Sequence, residues 1–168
     1  MTSVIRFTRG TTVAAILIAA LGLGACASKP EGPEANASVA GAATPGSAQD
    51  FVVNVGDRVF FETDSSEITA QGRETLDKQA QWLTNYAQYA FTIEGHADER
   101  GTREYNLALG ARRAQAARDY LASRGITPTR MRIISYGKER PVAVCNDISC
   151  WSQNRRAVTV LSAGAPTG

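Results

Sequence analysis

The stretch from Ala27 to Gln49 most restricts what this chain can fold into. It is built from Ala, Gly, Pro and Ser with almost no large apolar residue. Such a segment cannot bury enough surface to offset its ordering entropy. It reads as a flexible tether, about 25 Å from end to end on average and ~75 Å at full stretch. Any hydrophobic core must come from residues C-terminal to it. A folded domain is expected over residues 50–163, with residues 164–168 as a short disordered tail.

Within that domain, strand and helix patterns alternate. Arg58 to Phe61 (RVFF) is β-branched and aromatic, and Thr63 to Ser66 (TDSS) is turn chemistry. Thr69 suits an N-cap for a helix from about Ala70 to Tyr89, with Leu76, Ala80, Leu83 and Ala87 on one apolar face. Phe91 to Gly95 is a second strand, and a second helix runs from about Glu104 to Arg124, where Gly125 and Pro128 stop it. Met131 to Ser135 and Arg156 to Leu161 supply two more strands, joined by a loop that holds Pro141, Cys145 and Cys150. The pattern predicts an α/β (α+β) two-layer sandwich, with a sheet on one side and helices on the other. Trp82 and Tyr86 are expected to pack on or near the first helix, and Trp151 to cover one end of the core.

The N-terminus sets the compartment. Arg6 and Arg9 precede an uncharged, mostly apolar run of 11 residues, Val13 to Leu23. That run is short of the roughly 20 residues a membrane-spanning helix needs and reads as a secretory signal. It ends in Leu23-Gly24-Ala25-Cys26, which resembles the lipobox of bacterial lipoproteins. Residues 1–25 are then a signal peptide and Cys26 a lipidated N-terminus carrying diacylglycerol and an N-acyl chain. Cleavage removes two arginines and leaves 16 basic against 16 acidic side chains. A balanced charge of this kind does not suit a nucleic-acid binder. With Cys26 taken by lipid, Cys145 and Cys150 remain as a pair, and an oxidising compartment favours a disulfide between them.

The densest chemistry lies in Thr92 to Arg113, TIEGHADERGTREYNLALGARR. It holds His96, the only histidine, with Asp98, Glu99, Arg100 and Arg103 close behind. A hydrolase needs a nucleophile, a base and an orienting acid, yet no Gly-x-Ser-x-Gly elbow is present. A zinc site needs three or four ligands, and no second histidine exists. Neither a catalytic nor a metal site is expected. His96 reads as a residue that shapes the loop. Glu99, Arg100 and Arg103 read as surface pairs or rim contacts, and Arg155 as a salt bridge that fixes the last strand. His96, Glu99 and Arg155 are kept as possible additional ligand contacts. Leu109, Arg113, Ala117 and Tyr120 share one helical stripe, so Arg113 sits where apolar residues belong. A buried arginine requires partners. One reading is a structural ion pair with Asp98, Asp64 or another acid. The other is that Asp98 and Arg113 hold the ammonium and carboxylate ends of a zwitterion.

The segments VFFETDSSEIT, TIEGHADERGTREYNLALGARRAQAARDYL, ISYGKERP and WSQNRRAVTVL, in that order, resemble the OmpA-like peptidoglycan-binding domain family. The resemblance spans about Val59 to Leu161. It implies a βαβαβ-β fold with a mixed four-stranded sheet and two main helices on one face. It implies a pocket for meso-diaminopimelate, with Asp98 on the ammonium, Arg113 on the carboxylate, Leu109 flanking, and Thr63 and Asp64 contributing from the turn. For the lipid-anchored members of the family it implies an outer-membrane location facing the periplasm. There they grip peptidoglycan and, in exclusion of it, the periplasmic protein TolB and other Tol components. A lipoprotein of this family without a Tol partner is the alternative, and no cofactor is implied.

Overall fold

Along the strand Ala90–His96 (β2), Phe91, Ile93 and Gly95 are buried while Thr92 and Glu94 stay half-covered. This is the two-residue period of a sheet packed on one face. The computed structural model describes residues 43–162. The signal peptide, Cys26, most of the expected tether and the tail lie outside the described residues. The sheet also contains Arg58–Phe60 (β1), Met131–Gly137 (β3) and Arg156–Ser162 (β4), in the order β1-β4-β2-β3. β4 runs antiparallel to β1 and to β2, and β2 runs parallel to β3, with Ile93 opposite Ile133. The sheet is therefore mixed, and its central strands are the second and last in sequence.

Two long helices supply the other layer, Ala70–Asn85 (α2) and Arg103–Ser123 (α3). Thr69 caps α2 by accepting from Gly72 N–H, and Thr102 caps α3 by accepting from Tyr105 N–H. Leu76, Leu83, Phe91, Ile93, Ala114 and Leu121 form the centre of the core. α3 lies against β2 at backbone distance. A Cβ on Gly95 would fall 1.8 Å from the Gly110 carbonyl oxygen, so only glycine permits this approach. That contact sets the height of Leu109 and Arg113 above the end of β2. No described helix is long and apolar enough to cross a membrane.

Three sequence expectations need correction. The tether does not extend to Gln49. Ala48–Asp50 (α1) and a π-helical turn, Phe51–Gly56, are folded onto α2. Phe51 is fully buried and meets Trp82 edge-on, with ring centroids 5.0 Å apart. The Asp50 carboxylate accepts from Trp82 Nε1, Asn54 Nδ2 and Gly46 N–H, each at 2.8 Å. α2 ends at Asn85, not Tyr89, and Ala87 is exposed. The remote guanidinium of Arg130 donates to the carbonyls of Leu83, Tyr86 and Tyr89 and so closes the helix end. The loop around the cysteines contains a short helix, Ile148–Asn154 (α4), capped by Asp147. Cys145 and Cys150 are bridged at its start.

Candidate functional site

The residues after β2 and the turn after β1 meet over the first turns of α3. They enclose an open pocket of about 270 Å³ lined by Thr63, Asp64, Asp98, Arg100, Gly101, Tyr105, Asn106 and Leu109. Four of the five residues assigned to the site from sequence, Thr63, Asp64, Asp98 and Leu109, are thus brought together. Asp64 stands in the left-handed region, φ 56°, the one described non-glycine residue to do so. Asp tolerates that conformation better than most residues, and it presents its carboxylate to the Tyr105 hydroxyl, which donates to it.

Asp98 is the pocket's ordered anion. Arg100 grips it with two parallel bonds, Nε to Oδ1 at 3.0 Å and Nη2 to Oδ2 at 2.7 Å. The Arg100 N–H adds a bond to Oδ1 at 3.2 Å, and Arg155 Nη1 reaches Oδ2 at 3.4 Å. Burial acts to raise the Asp98 pKa, but the bonds from Arg100 and Arg155 outweigh it and the group stays below its usual value of 3.8. Arg155 is buried and also donates to the Phe61 carbonyl at 3.0 Å. It fixes β4 to the pocket wall and does not line the pocket.

Arg113 departs from the ion-pair reading. It is fully buried beneath the pocket, and no acidic oxygen lies within 4 Å of it among the described residues. Instead it donates to three backbone carbonyls: Ser65 and His96 at 2.8 Å, and Glu62 at 3.2 Å. An ion pair with Asp98 or Asp64 is therefore corrected to a strut between α3, β2 and the turn after β1. Its pKa falls to about 10 through burial and the nearby Arg155 charge, with Asp98 and Asp64 pulling the other way. The positive charge stays under the pocket floor without a bonded counter-ion.

The other two possible contacts are not at the pocket either. His96 turns its ring away to stack on Tyr136, and both ring nitrogens are buried without a hydrogen-bond partner. What His96 gives the site is its carbonyl. Glu99 accepts from Trp151 Nε1 on α4. Arg100, read from sequence as a surface pair or rim contact, lines the pocket, as do Tyr105 and Asn106, which the sequence pattern does not assign to it. For two of them a signal exists: stepping the Leu109–Arg113 stripe back one turn along α3 reaches Asn106 and Tyr105. Among the described residues no cluster of three or more His, Cys, Asp or Glu could hold a metal ion.

Comparison with known proteins agrees with this architecture. A model described as the OmpA family matches residues 60–156. The chain is 70% identical to a peptidoglycan-associated lipoprotein of Rhizobium meliloti, over 86% of this chain and 84% of that one. This chain belongs to the peptidoglycan-associated lipoproteins of the OmpA family. A second such lipoprotein, from Agrobacterium fabrum, is 62% identical over 93% of this chain and 90% of that one. Among solved structures, the peptidoglycan-associated lipoprotein of Burkholderia pseudomallei superposes with a TM-score of 0.62 at 43% identity, covering 63% of this chain and 90% of that one. The C-terminal domain of Helicobacter pylori MotB shares the fold, with a TM-score of 0.60 at 22% identity, over 65% of this chain and 86% of that one. As a peptidoglycan-associated lipoprotein of this family, the chain is not an enzyme.

Proposed function

We propose that this lipoprotein is anchored through a lipidated Cys26 in the inner leaflet of the outer membrane and grips peptidoglycan non-covalently. The ligand group is the side-chain end of meso-diaminopimelate, an ammonium and a carboxylate on one carbon. The observation that carries this reading is the pairing of the Asp98 carboxylate in the pocket wall with a buried, counter-ion-free Arg113 beneath it. Asp98, with Asp64 nearby, suits the ammonium. The Arg113 charge draws the carboxylate, and a direct grip requires the Ser65 and Glu62 carbonyls to release its Nε and Nη2. A weak pocket repeated over many anchored copies gives a firm but reversible hold by avidity.

The same kinship supports membership of the Tol–Pal system, with TolB competing for the peptidoglycan-binding face and the assembly supporting envelope integrity and constriction at division. If TolB fails to retain the chain in a pull-down, a peptidoglycan-binding lipoprotein without a Tol partner takes its place.

Sedimentation with purified peptidoglycan tests the pocket. The non-lipidated chain, residues 26–168 with Cys26→Ser, should pellet with the wall, and Asp98→Ala should stay in the supernatant while keeping its circular dichroism spectrum. Equal pelleting of a folded Asp98→Ala variant would place the ligand site elsewhere.

A further inference from the structure

A carboxylate offers about four lone-pair positions, and four donors already occupy those of Asp98. They are Nε, Nη2 and the N–H of Arg100, and Nη1 of Arg155. An incoming ammonium therefore cannot simply add to Asp98; it must displace a donor. The Arg155 side chain is 5% exposed and tied to Phe61, and the Arg100 N–H is held by the backbone. The Arg100 side chain is 40% exposed. Its guanidinium also lies 4.1 Å from the centroid of the Trp151 ring, a second resting surface that keeps it at the rim once Asp98 is taken.

The geometry points to Arg100 as the residue that sets ligand selectivity in this pocket, by making binding an exchange of ion pairs. This rests on the proposal that the pocket holds peptidoglycan. A ligand with an ammonium alone breaks the Asp98–Arg100 pair and forms one pair, leaving the guanidinium with no bonded counter-ion and only the through-space pull of Glu99. A zwitterion breaks one pair and forms two: its ammonium takes Asp98, and its carboxylate, drawn by the Arg113 charge below, also accepts from the freed fork of Arg100. The resting salt bridge thus mimics the ligand and opens only to one that supplies both charges. It disfavours peptide stems whose third residue ends in an amine without the neighbouring carboxylate, and stems in which that carboxylate is amidated.

Titration calorimetry on the full chain in detergent tests this with two tripeptides. One is L-Ala–D-Glu–meso-diaminopimelate; the other has L-Lys third, which keeps the ammonium and lacks the carboxylate. The wild type is expected to prefer the diaminopimelate peptide by about tenfold or more, the worth of one charged hydrogen-bond pair. Arg100→Ala should bring the two affinities to within roughly threefold, chiefly because the lysine peptide no longer competes with a resident guanidinium. Arg100→Lys, which keeps the charge and loses the fork, should fall between. A preference unchanged in Arg100→Ala overturns the inference and assigns selectivity to the pocket floor. Equal binding of both peptides by the wild type overturns it as well. Binding of neither peptide by the folded wild type overturns the peptidoglycan reading itself.

Discussion

Arg113 Nε donates to the Ser65 carbonyl at 2.8 Å, so a residue midway along α3 fixes the turn after β1. The same guanidinium holds the His96 and Glu62 carbonyls. Removing it leaves three partly buried acceptors short of a donor, while also removing a buried charge. The balance favours a loss of roughly 3 kcal/mol in Arg113→Leu. Arg113→Lys should fare little better, because one ammonium cannot reach three carbonyls set around a planar fork. Urea unfolding checks this, and an unchanged midpoint in Arg113→Leu would sink the strut assignment.

His96 makes stability depend on pH, although its Nε2 lies 3.7 Å from Glu94 Oε2. Burial, then the charges of Arg156, Arg140 and Arg58, lower its pKa from 6.5 to about 4. Across that interval the unfolded chain binds a proton that the folded chain refuses. Stability is therefore full above pH 6.5 and falls as the pH drops toward 4. Wild type should show a falling urea midpoint between these limits, and His96→Phe a flatter profile. Parallel profiles for the two proteins would mean that His96 is not the responsible group.

Gly95 and Gly110 let α3 touch β2, and their substitutions should differ in a defined order. A Cβ on Gly95 meets the Gly110 backbone carbonyl at 1.8 Å, which no side-chain motion relieves. A Cβ on Gly110 first meets Ser135 Oγ at 2.4 Å, then the Gly95 carbonyl oxygen at 2.9 Å. Gly110→Ala is expected to cost about 1–3 kcal/mol and Gly95→Ala more. Ser135→Ala should partly rescue Gly110→Ala and leave Gly95→Ala unrescued, as read from denaturation midpoints of the double variants.

The elements that repeat a simple period were legible in the sequence. The four strands announce themselves as short apolar runs, the first β-branched and aromatic, and the two long helices by their apolar stripes, by Thr69 as a cap and by Gly125 as a stop. What local pattern could not carry was any feature settled by a remote partner. α2 stops early because Arg130, far along the chain, takes its last carbonyls. Phe51, just past the expected end of the tether, enters the core through Trp82, a partner 31 residues on. Arg113 was visible as a cation on an apolar stripe, but backbone carbonyls as its partners have no residue-type signature. Arg100 hid in the opposite way: as one exposed charge among several, nothing local marked it as the partner of Asp98.

The Asp98 carboxylate should titrate in the acid range and report which arginine holds it. Burial pushes it up, and the Arg100 side chain, the Arg100 N–H and Arg155 together bring it below 3.8. A depressed carboxylate contributes stability that is whole above the unfolded value near 3.8 and is lost as pH falls through the folded value. The gap in stability between wild type and Asp98→Asn should therefore be constant near neutrality and close only below pH 3.8. Carboxyl-carbon NMR should place the wild-type midpoint below that value and show it rising in Arg100→Ala. A smaller rise is expected in Arg155→Lys, because Arg155 makes the longest of the four bonds, 3.4 Å, and Arg100 makes the other three. Retention on peptidoglycan should follow the same curve, since a protonated Asp98 loses its hold on an ammonium. A wild-type midpoint above about 4, or a larger rise in Arg155→Lys than in Arg100→Ala, would show that Arg100 does not dominate the pair.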